Sequence, residues 1–207
     1  MTPKTTALIL IGYQNDYYAP DGLLHNFLED SDYVRRSLAN TVALVDRLVA
    51  TGVTLIETPI VFTNNYSELH EPVGILAAIR DVQAFKAGTV GSAGVAELEP
   101  YRGRILSIPG KRGLNAFVGT YLEDELRQRS IEDVVLLGSV ASICIDSTGR
   151  SAAERGFLVH FVGDCITGRT LVEQRFYCQD IFPLYGRVIT AQALGDLLSS
   201  ADGSRKE

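Results

Sequence analysis

The sequence contains no tryptophan, one methionine, three cysteines and three histidines among its 207 residues. Three cysteines are too few for a disulfide framework and odd in number, so free thiols in a reducing compartment are expected, with the cytoplasm as the location. His25, His70 and His160 are scattered and form no pair at ligand spacing. No metal site and no cofactor is therefore expected. Long apolar runs are missing as well. The longest, "ALILI" and "VTLI", fall far short of the roughly 20 residues that span a bilayer. The opening residues do not read as a signal peptide, because Gly12, Gln14 and Asp16 interrupt the first apolar run. Positive charge is also scarce, with 19 Lys and Arg against 25 Asp and Glu, a net charge of -6. Phosphate binding needs clustered cations, so a nucleic-acid surface is excluded. What remains is a protein whose partner is a small molecule.

Apolar residues are plentiful, at 46% of the chain, and only 21% are charged. That suffices for one sizeable core and one domain over 1–200, with the polar "ADGSRKE" of 201–207 read as a disordered tail. Short apolar runs alternate with helical spacing. "TALILI", "VTLIETPIVFT", "RILSI", "DVVLLGSV", "LVHFV" and "RVIT" read as strands, with Pro59 bending or ending the second. Asp32 is the expected cap of a helix with Val34, Leu38, Val42, Val45 and Val49 on one face. Asn115 is the expected cap of another, carrying Phe117, Tyr121, Leu122 and Leu126. Further helices are expected over about 143–155, 171–182 and 191–200, and a short one over 74–82 within the irregular stretch 64–103. Strands that are apolar throughout and alternate with helices define an α/β fold, a doubly wound parallel sheet with helices on both faces. Ligands bind such sheets beyond the carboxyl ends of the strands.

Two residues stand at such ends. Cys144, in "GSVASICIDSTGRSA", lies in the first turn of a helix after a strand. Unpaired backbone N–H groups there favour a thiolate and can hold an oxyanion. Position alone leaves open the alternative of a small buried hydrophobe. Lys111 follows "RILSIP" at the same rim, where it can steady a developing negative charge or be an ordinary surface cation. Other patterns fail. "PGKRG" has Ile105 and Arg112 where a phosphate loop needs Gly and Ser or Thr, and the Ser92 stretch has Val90 where a nucleophile elbow needs Gly. "GTVGSAG" reads as a loop, and Cys165, Cys178 and His160 as packing. Tyr13, Tyr17, Tyr66, Phe117 and Phe176 are either pocket aromatics or plain packing, with Phe117 the best placed for substrate.

The "GYQND" start, "KRGLNAF" and the Cys144 segment, in this order and spacing, resemble the isochorismatase-like cysteine hydrolases, a family with nicotinamidases, carbamoylsarcosine amidases and isochorismatases. The resemblance runs from Ala7 to about Leu198. It implies a six-stranded parallel sheet, assembly into homo-oligomers, and small-amide hydrolysis by a cysteine, a lysine and an aspartate. The cysteine maps to Cys144 and the lysine to Lys111. It also implies a cis peptide at Ser139–Val140, which would turn the Val140 N–H toward an oxyanion beside that of Cys144. Three departures follow. Ala141-Ser142 stands where many members have Thr-Asp, and the metal-site aspartate and paired histidines after the second strand are absent. Most consequential, Gly12 occupies the position of the catalytic aspartate, which carries the proton between thiol and leaving amine. Asp16 matches a second family carboxylate but lies outside that position. The expectation is thus a thioester-forming hydrolase with impaired or altered proton transfer, in which Gly12→Asp raises turnover. The alternatives are a binding protein without turnover, an isochorismatase-type vinyl-ether hydrolase, and an ordinary enzyme in which Gly12 was introduced to trap a ligand.

Overall fold

Thr6–Ile11 forms strand β1, and all six of its residues are buried. A strand closed on both faces belongs at the centre of a parallel sheet. In this computed structural model, which describes residues 1–203 and side chains through 200, the chain continues through a short helix α1 (Asn15–Tyr18), α2 (Ser31–Leu48), β2 (Thr54–Glu57) and α3 (Gly74–Val82). It proceeds through a 3₁₀ segment (Ala96–Arg104), β3 (Ile105–Ser107), α4 (Leu122–Gln128) and β4 (Asp133–Ser139). A wide π-type turn (Ala141–Ile145) leads into α5 (Asp146–Glu154), followed by β5 (Leu158–Thr167), α6 (Leu171–Phe176), β6 (Arg187–Ile189) and α7 (Ala191–Gly203). The anticipated disordered tail overlaps the end of α7 at 201–203, and 204–207 lie outside the described residues.

The six strands run parallel in the order β3-β2-β1-β4-β5-β6. Ala7, Ile9 and Ile11 face one core with Val134, Leu136 and Cys144, while Leu8 and Leu10 face the other with Leu44, Val45 and Leu48 of α2 and Leu194 and Leu198 of α7. The period-2 alternation of side chains thus fills two layers from one strand. From β1 the chain winds outward to β2 and β3, then returns to the other side of β1 as β4. The carboxyl ends of β1 and β4 are the switch point at which a doubly wound sheet opens a crevice.

Local details depart from expectation where side chains, rather than periodicity, decide. The cap of α2 is Asp30, whose carboxylate accepts from the Tyr33 N–H at 2.8 Å; Asp32 lies within the first turn and pairs with Arg35 at the surface. The buried stripe of α2 is Val34, Ser37, Thr41, Leu44, Val45 and Leu48. Its packing centre is shifted off Leu38 and Val42 because Thr41 supplies the hydroxyl that meets Tyr13 at 2.6 Å. Asn115 caps no helix. Its side-chain oxygen accepts from the Phe117 N–H at 2.9 Å, closing an Asx turn, and α4 begins only at Leu122.

Candidate active site

The tips of β1 and β4 approach each other closely. Gly12 has φ +75°, and a β-carbon there would lie 2.9 Å from the Ser139 carbonyl oxygen and 3.6 Å from Cε2 of Tyr17. This is left-handed backbone that glycine adopts without strain. The Ser139–Val140 peptide is cis, and Val140 is fully buried. The Val140 carbonyl then accepts from the N–H groups of both Ile143 and Ile145, at 3.1 and 3.2 Å, and this sharp turn places Cys144 at the head of α5. Ser142 donates to Glu173 at 2.5 Å, and Glu173 is held in turn by Arg169 at 2.8 Å. The turn that carries Cys144 is therefore fixed on both flanks.

Lys111 arrives from β3. Its neighbour in the extension of the sheet is Ile60, and Gln14 clamps Ile60 as a backbone would, donating to its carbonyl at 2.8 Å and accepting from its N–H at 2.9 Å. Gln14 also donates to Ser92 at 2.8 Å. Asn15 donates to the Val90 carbonyl at 2.8 Å, so the "GTVGSAG" segment is a loop pinned by the end of β1. The outcome is a side chain with 0% exposure whose Nζ donates to Cys144 Sγ at 3.3 Å, Cys144 being 2% exposed. Burying an ammonium without an anionic partner costs several kcal/mol. Among the described residues, sulfur is the atom that Lys111 Nζ meets within hydrogen-bond reach. The pair can accommodate charge separated between nitrogen and sulfur, which is the chemistry of a nucleophilic thiol.

The remaining candidates are placed as follows. Asp16 is buried but fully engaged: its carboxylate accepts from the Phe85 N–H at 2.6 Å and the Leu23 N–H at 3.3 Å, so it ties loops together. Phe117 lies in the core near the C-terminal end of α5. Its ring packs on Phe157 at 6.3 Å and under Arg155 at 4.8 Å, near the far end of α5. Its Ala116 neighbour instead receives the contact with the helix, donating to Thr148 at 3.0 Å. Tyr13 stacks on Tyr18 and bonds to Thr41 and the Cys165 carbonyl. Tyr66 donates to the Ala84 carbonyl at 2.8 Å, and Phe176 is half exposed. Tyr17 alone of these aromatics stands beside both Gly12 and the sulfur: burial and then the Cys144 charge hold its phenol well above the ordinary tyrosine range. Burial pushes the other two thiols, Cys165 and Cys178, up to about 12.

A cleft of about 440 Å³ opens at the ends of β1 and β2, lined by Gly12, Gln14, Glu57, Pro59 and Arg102 among others; neither Cys144 nor Lys111 lines it. Among the described residues no three His, Cys, Asp or Glu side chains gather as a metal ligand set, and no helix is long and apolar enough to cross a membrane. The residues after β2 thus do not fit a metal. Sequence reasoning missed Gln14, which clamps the backbone at Ile60, and Glu173, whose carboxylate accepts from the Ser142 hydroxyl. The Gln14 contribution had one signal, its place directly after the first strand.

A parallel six-stranded sheet with a lysine-paired cysteine at its switch point defines a doubly wound α/β protein. The isochorismatase domain matches residues 6–193, and the chain belongs to the isochorismatase family. It is 25% identical over 167 residues to the uncharacterised isochorismatase family protein YddQ of Bacillus subtilis, covering 81% of this chain and 80% of that one. It is 27% identical over 164 residues to the ureidoacrylate amidohydrolase RutB of Agrobacterium fabrum, covering 73% and 71%. Among solved structures, a cysteine hydrolase from Pseudomonas syringae pv. phaseolicola is similar in fold, with a TM-score of 0.86 and 18% identity over 97% of this chain and 95% of that one.

Proposed function

We propose that this chain is a cysteine-dependent hydrolase of a small amide or related C–N bond. The supporting observation is the contact of Lys111 Nζ with Cys144 Sγ at 3.3 Å, both out of solvent, at the switch point of the sheet. In this reading the Cys144 sulfur attacks the carbonyl carbon, the Val140 and Cys144 N–H groups receive the oxyanion, and the C–N bond breaks to leave a thioester on Cys144. Water then adds to the thioester, the C–S bond breaks, and an acid is released. The likeness to an amidohydrolase over most of the chain agrees with this choice of substrate class. The protein acts as one domain over 1–200, as a homo-oligomer in the cytoplasm, without metal or cofactor.

The test is acyl trapping. Incubation with p-nitrophenyl acetate should give a burst of p-nitrophenol and an acetyl group mapped by mass spectrometry to Cys144, both lost in Cys144→Ala. A second reading, binding without turnover, is favoured by one observation: Gly12 offers no side chain at the tip of β1, and Asp16 is committed to backbone N–H groups. Under that reading the protein binds small amides but forms no acyl adduct.

A further inference from the structure

We infer that the Tyr17 hydroxyl takes the place of the missing carboxylate as the proton donor to the leaving nitrogen. The inference rests on the cysteine-hydrolase reading above.

Three observations carry it. The first is position: Cε2 of Tyr17 lies 3.6 Å from where a Gly12 side chain would begin, so this ring fills the direction in which an aspartate at that point would project. A glycine with φ +75° and no room for a β-carbon against the Ser139 carbonyl makes the two features one design, an empty strand tip and a ring folded back over it. The second is its hydroxyl. Its neighbours Tyr13 and Tyr18 spend theirs on Thr41 and Ser139, at 2.6 and 2.7 Å, whereas that of Tyr17 has no hydrogen-bond partner among the described residues. A hydroxyl that no protein group holds is free to donate to a ligand atom. The third is the neighbourhood. Tyr17 is 2% exposed, its ring is wedged against Phe85 at 5.0 Å, and it lies within the field of the Cys144 sulfur. A phenol held well above the ordinary tyrosine range keeps its proton and is a donor rather than a base.

The step balances. Sulfur attack on the amide gives a tetrahedral oxyanion. As the C–N bond breaks, the phenol O–H proton passes to the nitrogen, so a neutral amine departs and a phenolate remains. That phenolate takes a proton from the water that attacks the thioester, which restores the phenol; C–S cleavage restores the sulfur anion. Lys111 stays on the sulfur throughout.

Leaving-group dependence tests this. Acylation rates of wild type and Tyr17→Phe are measured over a series of acetyl donors from p-nitrophenyl acetate, whose leaving group needs no proton, to ethyl acetate and acetamide, whose leaving groups do. The inference predicts equal bursts with p-nitrophenyl acetate and a deficit in the variant that grows to about 10²–10⁴-fold for the poor leaving groups. Rates that run parallel across the series overturn it and leave the cysteine reading intact. If Tyr17 merely seals the site, Tyr17→Phe matches wild type throughout and Tyr17→Ala acylates faster. A wild type without a burst or an acetyl on Cys144 removes the cysteine reading and this inference with it. The p-nitrophenyl burst of the variant also reports that it is folded.

Discussion

The Lys111 ammonium and the Cys144 sulfur lie 3.3 Å apart, the lysine with no exposure at all and the cysteine with 2%. Neither side chain has water to solvate it, so each is the other's environment. Most of what can be tested follows from that dependence.

Removing one partner should be worse than replacing the charge. Cys144→Ala leaves a buried ammonium alone and should cost about 3–5 kcal/mol in urea unfolding, whereas Lys111→Met fills the same space without charge and should be near neutral. The double variant should recover most of the loss. Equal and additive costs would show that the two residues pack side by side without an electrostatic bond.

Gly12→Asp tests whether a carboxylate can be placed at the tip of β1. With φ +75° and a β-carbon 2.9 Å from the Ser139 carbonyl, the substitution should lower stability by about 1–3 kcal/mol. It should not restore turnover, because the carboxylate cannot project without moving β4 or displacing Tyr17. The sequence alone leads to the opposite expectation, that an aspartate raises turnover. Thermal melts and amide turnover of the variant decide the matter.

The other cysteines should be silent. Burial pushes the Cys165 and Cys178 thiols up to about 12, so at pH 8 only about one in 10⁴ of either is a thiolate. Peptide mapping after brief iodoacetamide treatment of the folded protein should find them unmodified, and both labelled once urea is added.

A pH effect on stability should come from the foot of β5. His160 is buried against Asp133, with 2.8 Å between Nε2 and the carboxylate, and burial holds its pKa below the ordinary 6.5 despite that carboxylate. Below about pH 6.5 the unfolded chain binds a proton that the folded chain resists, so stability falls as the pH drops through that range and is unaffected by this group above it. Urea midpoints of wild type and His160→Gln, compared at pH 8 and pH 5.5, should converge at the lower pH.

The sheet was legible in the sequence because strands buried on both faces must be apolar at every position, as "TALILI" and "DVVLLGSV" are. Cys144 and Lys111 were legible for a related reason: polar groups directly after such strands gather at one rim. The parts that were not legible are set by contacts distant in sequence. Asn115 looks like a helix cap until the Phe117 N–H claims its side chain. Phe117 sits beside the lysine segment in sequence but is drawn to Arg155 and Phe157 in space. Tyr17 reads as one aromatic among five; only the shape of Gly12 next to Ser139 singles it out.

The most direct test is the rate at which iodoacetamide modifies Cys144 at pH 7 in wild type and in Lys111→Met, followed by peptide mapping. A sulfur held as an anion by the lysine should react in the wild type and slow by at least about tenfold in the variant. Identical rates in the two proteins, or no reaction of Cys144 in the wild type, would contradict the account.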